Sequence, residues 1–204
     1  MILNEKVWVV LRPNYVDGIL KTVGICGTGF FIEPNKFITA WHICNEKSFS
    51  QESVWNNDHL IIVSPSGEQE KVFLNQCTFS KDKDITYIKI NKNYPTLEKE
   101  YCSLNEEVYS VGYPTKDLQS LISDNLSIKD QRKNEGKIIT IEENYSVIFN
   151  NGNIINKKVI MVDYLSEEGY SGGPLFNKNN KVLGLMSNID PAKKMTLVVS
   201  CEEF

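Results

Sequence analysis

The residues of this chain best suited to chemistry are a serine set among glycines, a histidine closing an apolar run, and an aspartate heading another. The serine lies in Gly169-Tyr170-Ser171-Gly172-Gly173-Pro174-Leu175. A serine hydroxyl is a poor nucleophile unless a base takes its proton and donors receive the developing oxyanion. The glycines let the backbone bend tightly, so that the N–H groups of Gly169 and Ser171 can aim at one oxygen. Read alone, the segment is also a Gly-Pro turn that contains a serine. Two further segments offer the base and the acid. Gly27-Thr28-Gly29-Phe30-Phe31-Ile32 followed by Phe37-Ile38-Thr39-Ala40-Trp41-His42 reads as a hairpin ending in an imidazole. Lys83-Asp84-Ile85-Thr86-Tyr87-Ile88-Lys89-Ile90 places a carboxylate at the head of an alternating strand. The other histidine, His59, follows Asn56-Asn57-Asp58 and is expected in a solvated loop.

These motifs resemble those of the chymotrypsin-like (trypsin-like) serine peptidases. That family has a TAAHC-like histidine segment, a D-I-x-hydrophobic-hydrophobic-K strand and GxSGGP, in the order His, Asp, Ser. The resemblance runs from about residue 7 to about residue 200. It implies an all-β chain of two six-stranded antiparallel barrels with the active site at their junction. The single peptidase domain would span 1–204, with 1–95 as the first barrel and 96–204 as the second. Ser171 is then the nucleophile, His42 the general base and acid, and Asp84 the group that orients the imidazole. Asp84 is preferred to Asp82 because it directly precedes Ile85 and the Tyr87/Lys89 alternation, as in the family pattern. Gly169 and Ser171 would form the oxyanion hole. By offset from Ser171, Leu165 falls on the floor of the primary pocket and Ile189 on its wall, while Ser187 falls beside the triad acid. These three are the expected substrate-binding residues, and they imply cleavage after small or medium aliphatic side chains of a protein or peptide. Tyr170 departs from the secreted digestive branch, which carries aspartate there to clasp a new amino terminus, so activation without propeptide cleavage is expected. The rival readings are a catalytically inert fold that serves as a protein-binding module, and an esterase or acyl transferase using the same triad.

Bulk properties narrow the setting. A chain of 204 residues can bury roughly 70% of its unfolded surface and needs no staples to fold. Hydrophobic residues at 41% and charged residues at 24% are ordinary for a globular protein. The net charge of −4 and the lack of a Lys/Arg cluster argue against nucleic acid. No apolar run reaches spanning length, and Met1 to Lys6 lacks the build of a signal peptide, so no membrane association and a cytoplasmic location are expected. Five cysteines leave at least one unpaired. Secreted relatives bridge a cysteine directly after the histidine to the preceding strand. Here Ile43 takes that position and Cys44 comes one residue late. A one-residue offset reverses side-chain direction on a strand, which weighs against a Cys26–Cys44 bridge and favours free thiols. Scattered cysteines and two distant histidines suggest no metal site, and no cofactor is implied. Of the 22 basic residues only Arg12 and Arg132 are arginine, a usage typical of AT-rich bacterial genomes.

The positioning elements read as short strands. Val7–Leu11 is the first, ended by Arg12-Pro13-Asn14, and Val23–Cys26, Thr28–Ile32, Phe37–Ala40, Leu60–Val63, Val72–Leu74 and Tyr87–Ile90 complete the first half. Residues 91–105 look like the crossing between halves. Val108–Tyr113, Lys137–Ile141, Ser146–Phe149, Val159–Tyr164, Lys181–Met186 and Thr196–Ser200 form the second, with a long loop over 115–135 and a turn at Asn150–Asn153. The chain ends at Phe204 without the C-terminal helix usual in the family, which suggests a minimal version or a segment of a longer protein. A partner or fused domain is the expected means of regulation.

Overall fold

The structure, a computed structural model, describes residues 4–17, 19–44, 58–115, 131–148 and 154–204. The first half is a seven-stranded antiparallel sheet. Its strands are β1 (Val7–Val16), β2 (Ile19–Glu33), β3 (Lys36–Ala40), β4 (His59–Val63), β5 (Gln69–Phe73), β6 (Cys77–Ser80) and β7 (Ile85–Lys89), in the spatial order β5-β4-β1-β2-β3-β7-β6. The second half is a closed six-stranded barrel. It comprises β8 (Glu107–Gly112), β9 (Arg132–Ile148), β10 (Ile154–Val162), β11 (Pro174–Asn177), β12 (Val182–Asp190) and β13 (Met195–Ser200), in the order β10-β13-β12-β11-β8-β9. This is the trypsin-like double-barrel architecture, with a difference in its first half. There the sheet curls without closing among the described residues, because the short end strands β5 and β6 pair only with β4 and β7.

Several local readings change against the structure, among them Val23–Cys26 and Thr28–Ile32, which belong to the single strand β2. The first strand does not stop at Arg12-Pro13-Asn14 but runs on to Val16. Pro13 is tolerated because β4 pairs only with Val9–Leu11, so at Pro13 the strand has β2 on one side and no ladder bond to lose on the other. The two strands expected at Lys137–Ile141 and Ser146 onward are one long strand, β9, which already begins at Arg132. The strands β6 and β11 had no clear sequence signal, being four residues each. Of the expected 115–135 loop, 116–130 lie outside the described residues, as does the 150–153 turn.

The core explains the pairing. Trp8, Phe30, Phe31 and Phe37 are essentially fully buried, and Trp8, Phe31 and Phe37 pack edge to face, with Trp8 and Phe31 centroids 5.3 Å apart. The same cluster takes in Val111, Tyr113, Phe176, Val182 and Leu185 from the second half, so one apolar core bridges both. A second cluster of Ile138, Ile160, Val162, Leu175, Leu183 and Val198 fills the barrel. The chain crosses between halves over residues 90–106, where Lys99 bridges to Val182. His59 is not solvated: it opens β4, is 3% exposed and lies with its ring 5.8 Å from that of Phe73. No helix among the described residues is long and apolar enough to cross a membrane.

Candidate active site

The apolar strand β3 ends at Ala40, and one helical turn, α1 (Trp41–Cys44), carries His42 out of the core. Ile43 and Cys44 anchor that turn inward, leaving the His42 side chain 37% exposed at the junction of the two halves. Asp84 closes the turn that leads into β7, in a left-handed conformation with φ of 59° that aspartate tolerates better than most residues. From there its backbone carbonyl accepts from the Trp41 N–H (3.1 Å) and its carboxylate accepts from the His42 backbone N–H (3.0 Å). The same carboxylate meets His42 Nδ1 at 2.9 and 3.1 Å. Ser187 Oγ donates to Asp84 Oδ2 at 2.6 Å from β12. Asp84 is 6% exposed, and burial works to raise its pKa. The hydrogen bond and charge of His42, then Lys157 and Ser187, outweigh that and hold the carboxyl below its usual range. Asp82, the rival acid, is exposed and accepts from the Ser80 hydroxyl at 2.9 Å.

The serine loop hangs between β12 and the first half. Gly172 has a φ of +82° and sits where a Cβ would lie 2.2 Å from Thr39 Oγ1 and 2.3 Å from the Thr28 carbonyl oxygen. Only glycine fits there. Thr28, on β2, clamps the loop twice: its N–H donates to the Ser171 carbonyl (2.8 Å) and its hydroxyl to the Gly169 carbonyl (2.7 Å). Within the loop the Tyr170, Gly172 and Gly173 N–H groups donate to the Glu167, Met186 and Tyr170 carbonyls. Among the described residues the N–H groups of Gly169 and Ser171 have no protein acceptor. The Glu168 carbonyl accepts from Thr115 N–H at 3.0 Å, so in a planar trans peptide the Gly169 N–H is turned away from Thr115. Gly169, at φ +100°, permits that orientation, and a Cβ there would strike the Tyr113 carbonyl at 2.0 Å.

Ser171 and His42 line one cavity of about 150 Å³ together with Ser166, Glu167, Met186 and Ile189. Among the described residues the Ser171 hydroxyl makes no hydrogen bond to the His42 ring, a separation common before substrate tightens such sites. Ile189, 40% exposed, lines this cavity. Leu165, expected on its floor, is 43% exposed and lies outside the lining residues; the segment turns so that Ser166, Glu167 and Glu168 face the cavity instead. Sequence reasoning did not find Thr28 as a clamp, nor Lys157, whose Nζ lies 3.4 Å from Ser187 Oγ. Asn156-Lys157-Lys158 reads as an ordinary solvated run, and only the β9–β10 pairing carries Lys157 inward. No cluster of three or more metal-ligating side chains occurs among the described residues.

On this geometry the comparisons bear directly. The model of the trypsin-like peptidase domain family matches residues 27–185, well over half of the chain. The chain belongs to the trypsin-like serine peptidases. A curated relative from Rickettsia conorii, named a probable periplasmic serine endoprotease of the DegP-like kind, is 26% identical over 192 residues. That match takes in 91% of this chain but only 32% of the relative, so the chain spans about a third of that protein's length. Among solved structures, the active form of the Rv3671c protease of M. tuberculosis superposes with a TM-score of 0.68 at 18% identity, over 98% of this chain and 77% of that one. The HtrA-type protease AlgW with tripeptide gives 0.69 at 15% identity, over 98% and 57%. At such identities these two likenesses speak for the trypsin-like fold.

Proposed function

We propose that this peptidase domain is a serine endopeptidase with Ser171 as nucleophile, His42 as general base and acid, and Asp84 as the group that orients His42 and stabilises its imidazolium. The observation that carries the reading is the hydrogen-bonded set Ser187–Asp84–His42 opening onto the cavity that also holds Ser171. Asp84 accepts from Nδ1–H, which leaves Nε2 as the basic nitrogen. Ser171 Oγ then attacks the scissile carbonyl carbon as Nε2 takes its proton. The electron pair displaced onto the carbonyl oxygen is met by the two unengaged N–H groups of Gly169 and Ser171, each worth about 3 kcal/mol in such sites. Collapse expels the amine, which receives the proton from His42, and water repeats the sequence to free Ser171.

The open edge of β12 supports an extended substrate. Among the described residues β11 pairs with Val182 to Leu185 only, while β13 occupies the opposite edge of the strand through Asp190. Residues from Ser187 onward can therefore take an added strand. Met186 and Ile189 give the Ser171 cavity apolar surface, and Glu168 is engaged by Thr115. An exposed carboxylate at the rim, such as Glu167, contributes little to holding a cation. Cleavage after small or medium aliphatic residues is the specificity this supports. The five free cysteines support a reducing, cytoplasmic setting, although the Rickettsia relative is named as periplasmic. Regulation by a partner or a fused domain is the reading suited to a domain that spans a third of that relative.

The test is labelling of the folded protein with a fluorophosphonate, followed by a peptide library. The expected result is one adduct on Ser171 and cleavage after aliphatic residues, both lost in Ser171→Ala, whose turnover falls by about 10⁶. Absence of labelling and cleavage in well-folded protein would make the chain an inert binding module. Dominant cleavage after Arg or Lys would move Glu167 or Glu168 into the specificity role.

A further inference from the structure

A second cavity of about 150 Å³ adjoins the first, and His42, Ser187 and Asn188 line both. Trp41, Val159 and Leu197 make most of its surface apolar, and one cation, Lys157, lies within it. Lys157 is 8% exposed. It comes from β10, opposite Tyr145 of β9 and next to a register shift that separates it from Val159. The bulge sends the neighbouring Lys158 outward to Glu143 and Glu202 and leaves Lys157 inside. An ammonium carries three N–H donors. Those of Lys157 have one acceptor among the described residues, Ser187 Oγ at 3.4 Å, and no carboxylate forms an ion pair with it there. The Asp84 carboxylate also lines the cavity, but its oxygens are taken by His42 and by the Ser187 hydroxyl. A buried ammonium with donors to spare, in an apolar cavity large enough for a small organic group, is suited to an anion.

The shared wall says where that anion would come from. A strand added along Ser187–Asn188 presents successive side chains to opposite faces. When the residue before the scissile bond enters the Ser171 cavity, the second and fourth residues before the bond face the other way, toward Lys157. We propose that Lys157 forms the floor of a subsite that selects Asp or Glu at the second or fourth residue before the cleaved bond. This rests on Ser171 being the nucleophile of a peptidase. The carboxylate of the substrate would supply hydrogen-bond acceptors to an ammonium that has one, Ser187 Oγ, among the described residues.

The experiment compares kcat/KM on peptides that differ only by Glu against Gln at each of those positions, in the native protein and in Lys157→Met, with fluorophosphonate labelling of both. The expected result is a Glu preference of about 30-fold or more at one position, the usual scale for a desolvated charge pair, collapsing toward parity in Lys157→Met. Because the native protein alone yields the ratio, poor folding of the variant does not blunt the test. Parity in a native enzyme that labels on Ser171 and cleaves peptides overturns the subsite and leaves the peptidase reading standing. A Glu preference retained in Lys157→Met overturns it as well. So does an equal loss on Glu and Gln peptides with a displaced pH profile, which would assign the ammonium to Asp84 as a positioning charge. A native protein that neither labels nor cleaves overturns both readings.

Discussion

Asp84 does three jobs at one α-carbon. Its left-handed backbone brings its carbonyl under Trp41, and its carboxylate grips both the backbone and the ring of His42. Replacing it by Asn keeps the shape but presents an amide where an acceptor is needed, favouring the wrong imidazole tautomer. Asp84→Asn is expected to lower turnover by about 10⁴ with little change in melting temperature. Asp82→Asn, which alters an exposed carboxylate bonded to Ser80, should leave turnover within a factor of about two. Steady-state kinetics of the two variants, measured side by side, would reveal a misassigned acid if the losses were equal or reversed. At this scale the sequence was informative where a residue type is itself chemical, as with Ser171 and His42. It was silent on Lys157, because a lysine in a polar run looks the same whether its strand turns it outward or in.

Among the elements, β2 does more than pair. Through Thr28 it reaches across to the serine loop and fixes the carbonyls of Gly169 and Ser171, the two residues whose own N–H groups have no protein acceptor among the described residues. Thr28→Val removes the hydroxyl and leaves the buried Gly169 carbonyl without that donor, at a cost of about 1–3 kcal/mol. For a chain of this length that lowers the melting temperature by about 2–4 °C per kcal/mol. Turnover should fall as well, with Thr28→Ser restoring most of both; a Thr28→Val enzyme with parental turnover would separate the clamp from the chemistry. The strand β4 carries a pH dependence. Burial, aided by Lys71 and opposed by Asp58, lowers the pKa of His59 below its ordinary 6.5. The unfolded chain therefore takes up the proton first. Stability held by neutral His59 is fully present above the ordinary value and is lost as pH falls through it toward the lowered one. Denaturant midpoints of native protein should drop as pH falls from about 7 to about 5, and His59→Phe, stacked on Phe73, should flatten that part of the slope. Elements with strong alternation, such as β3 and β7, were legible in the sequence. Those defined by their partner, such as β6 beside β7 or β11 beside β8, were not, since four residues of mixed polarity carry no period.

For the molecule as a whole, the family resemblance carried by three ordered motifs implied a double barrel. That the first sheet stays open among the described residues was beyond reach, because closure depends on whether two distant end strands meet. The thiols give a whole-molecule prediction. All five are free, and burial pushes Cys26, Cys77 and Cys102 up to about 11 and Cys44 up to about 12, so they stay protonated and inert at neutral pH. Alkylation after denaturation should modify five cysteines by intact mass, and reductant should not move the melting temperature. Three modified residues and a shift of several degrees would indicate a bridge worth about 2–4 kcal/mol. Finally, the contact between Thr28 and Gly169 joins residues 141 positions apart. Contacts of such sequence separation form late, after the entropy of closing a long loop has been overcome. A ribosome-bound chain that has emerged only through β7 already holds His42 and Asp84 but neither the serine nor its loop. Even a finished chain would lack ordered oxyanion donors until its halves dock. On the proposed roles, hydrolytic competence is expected to arise only once the two halves have docked.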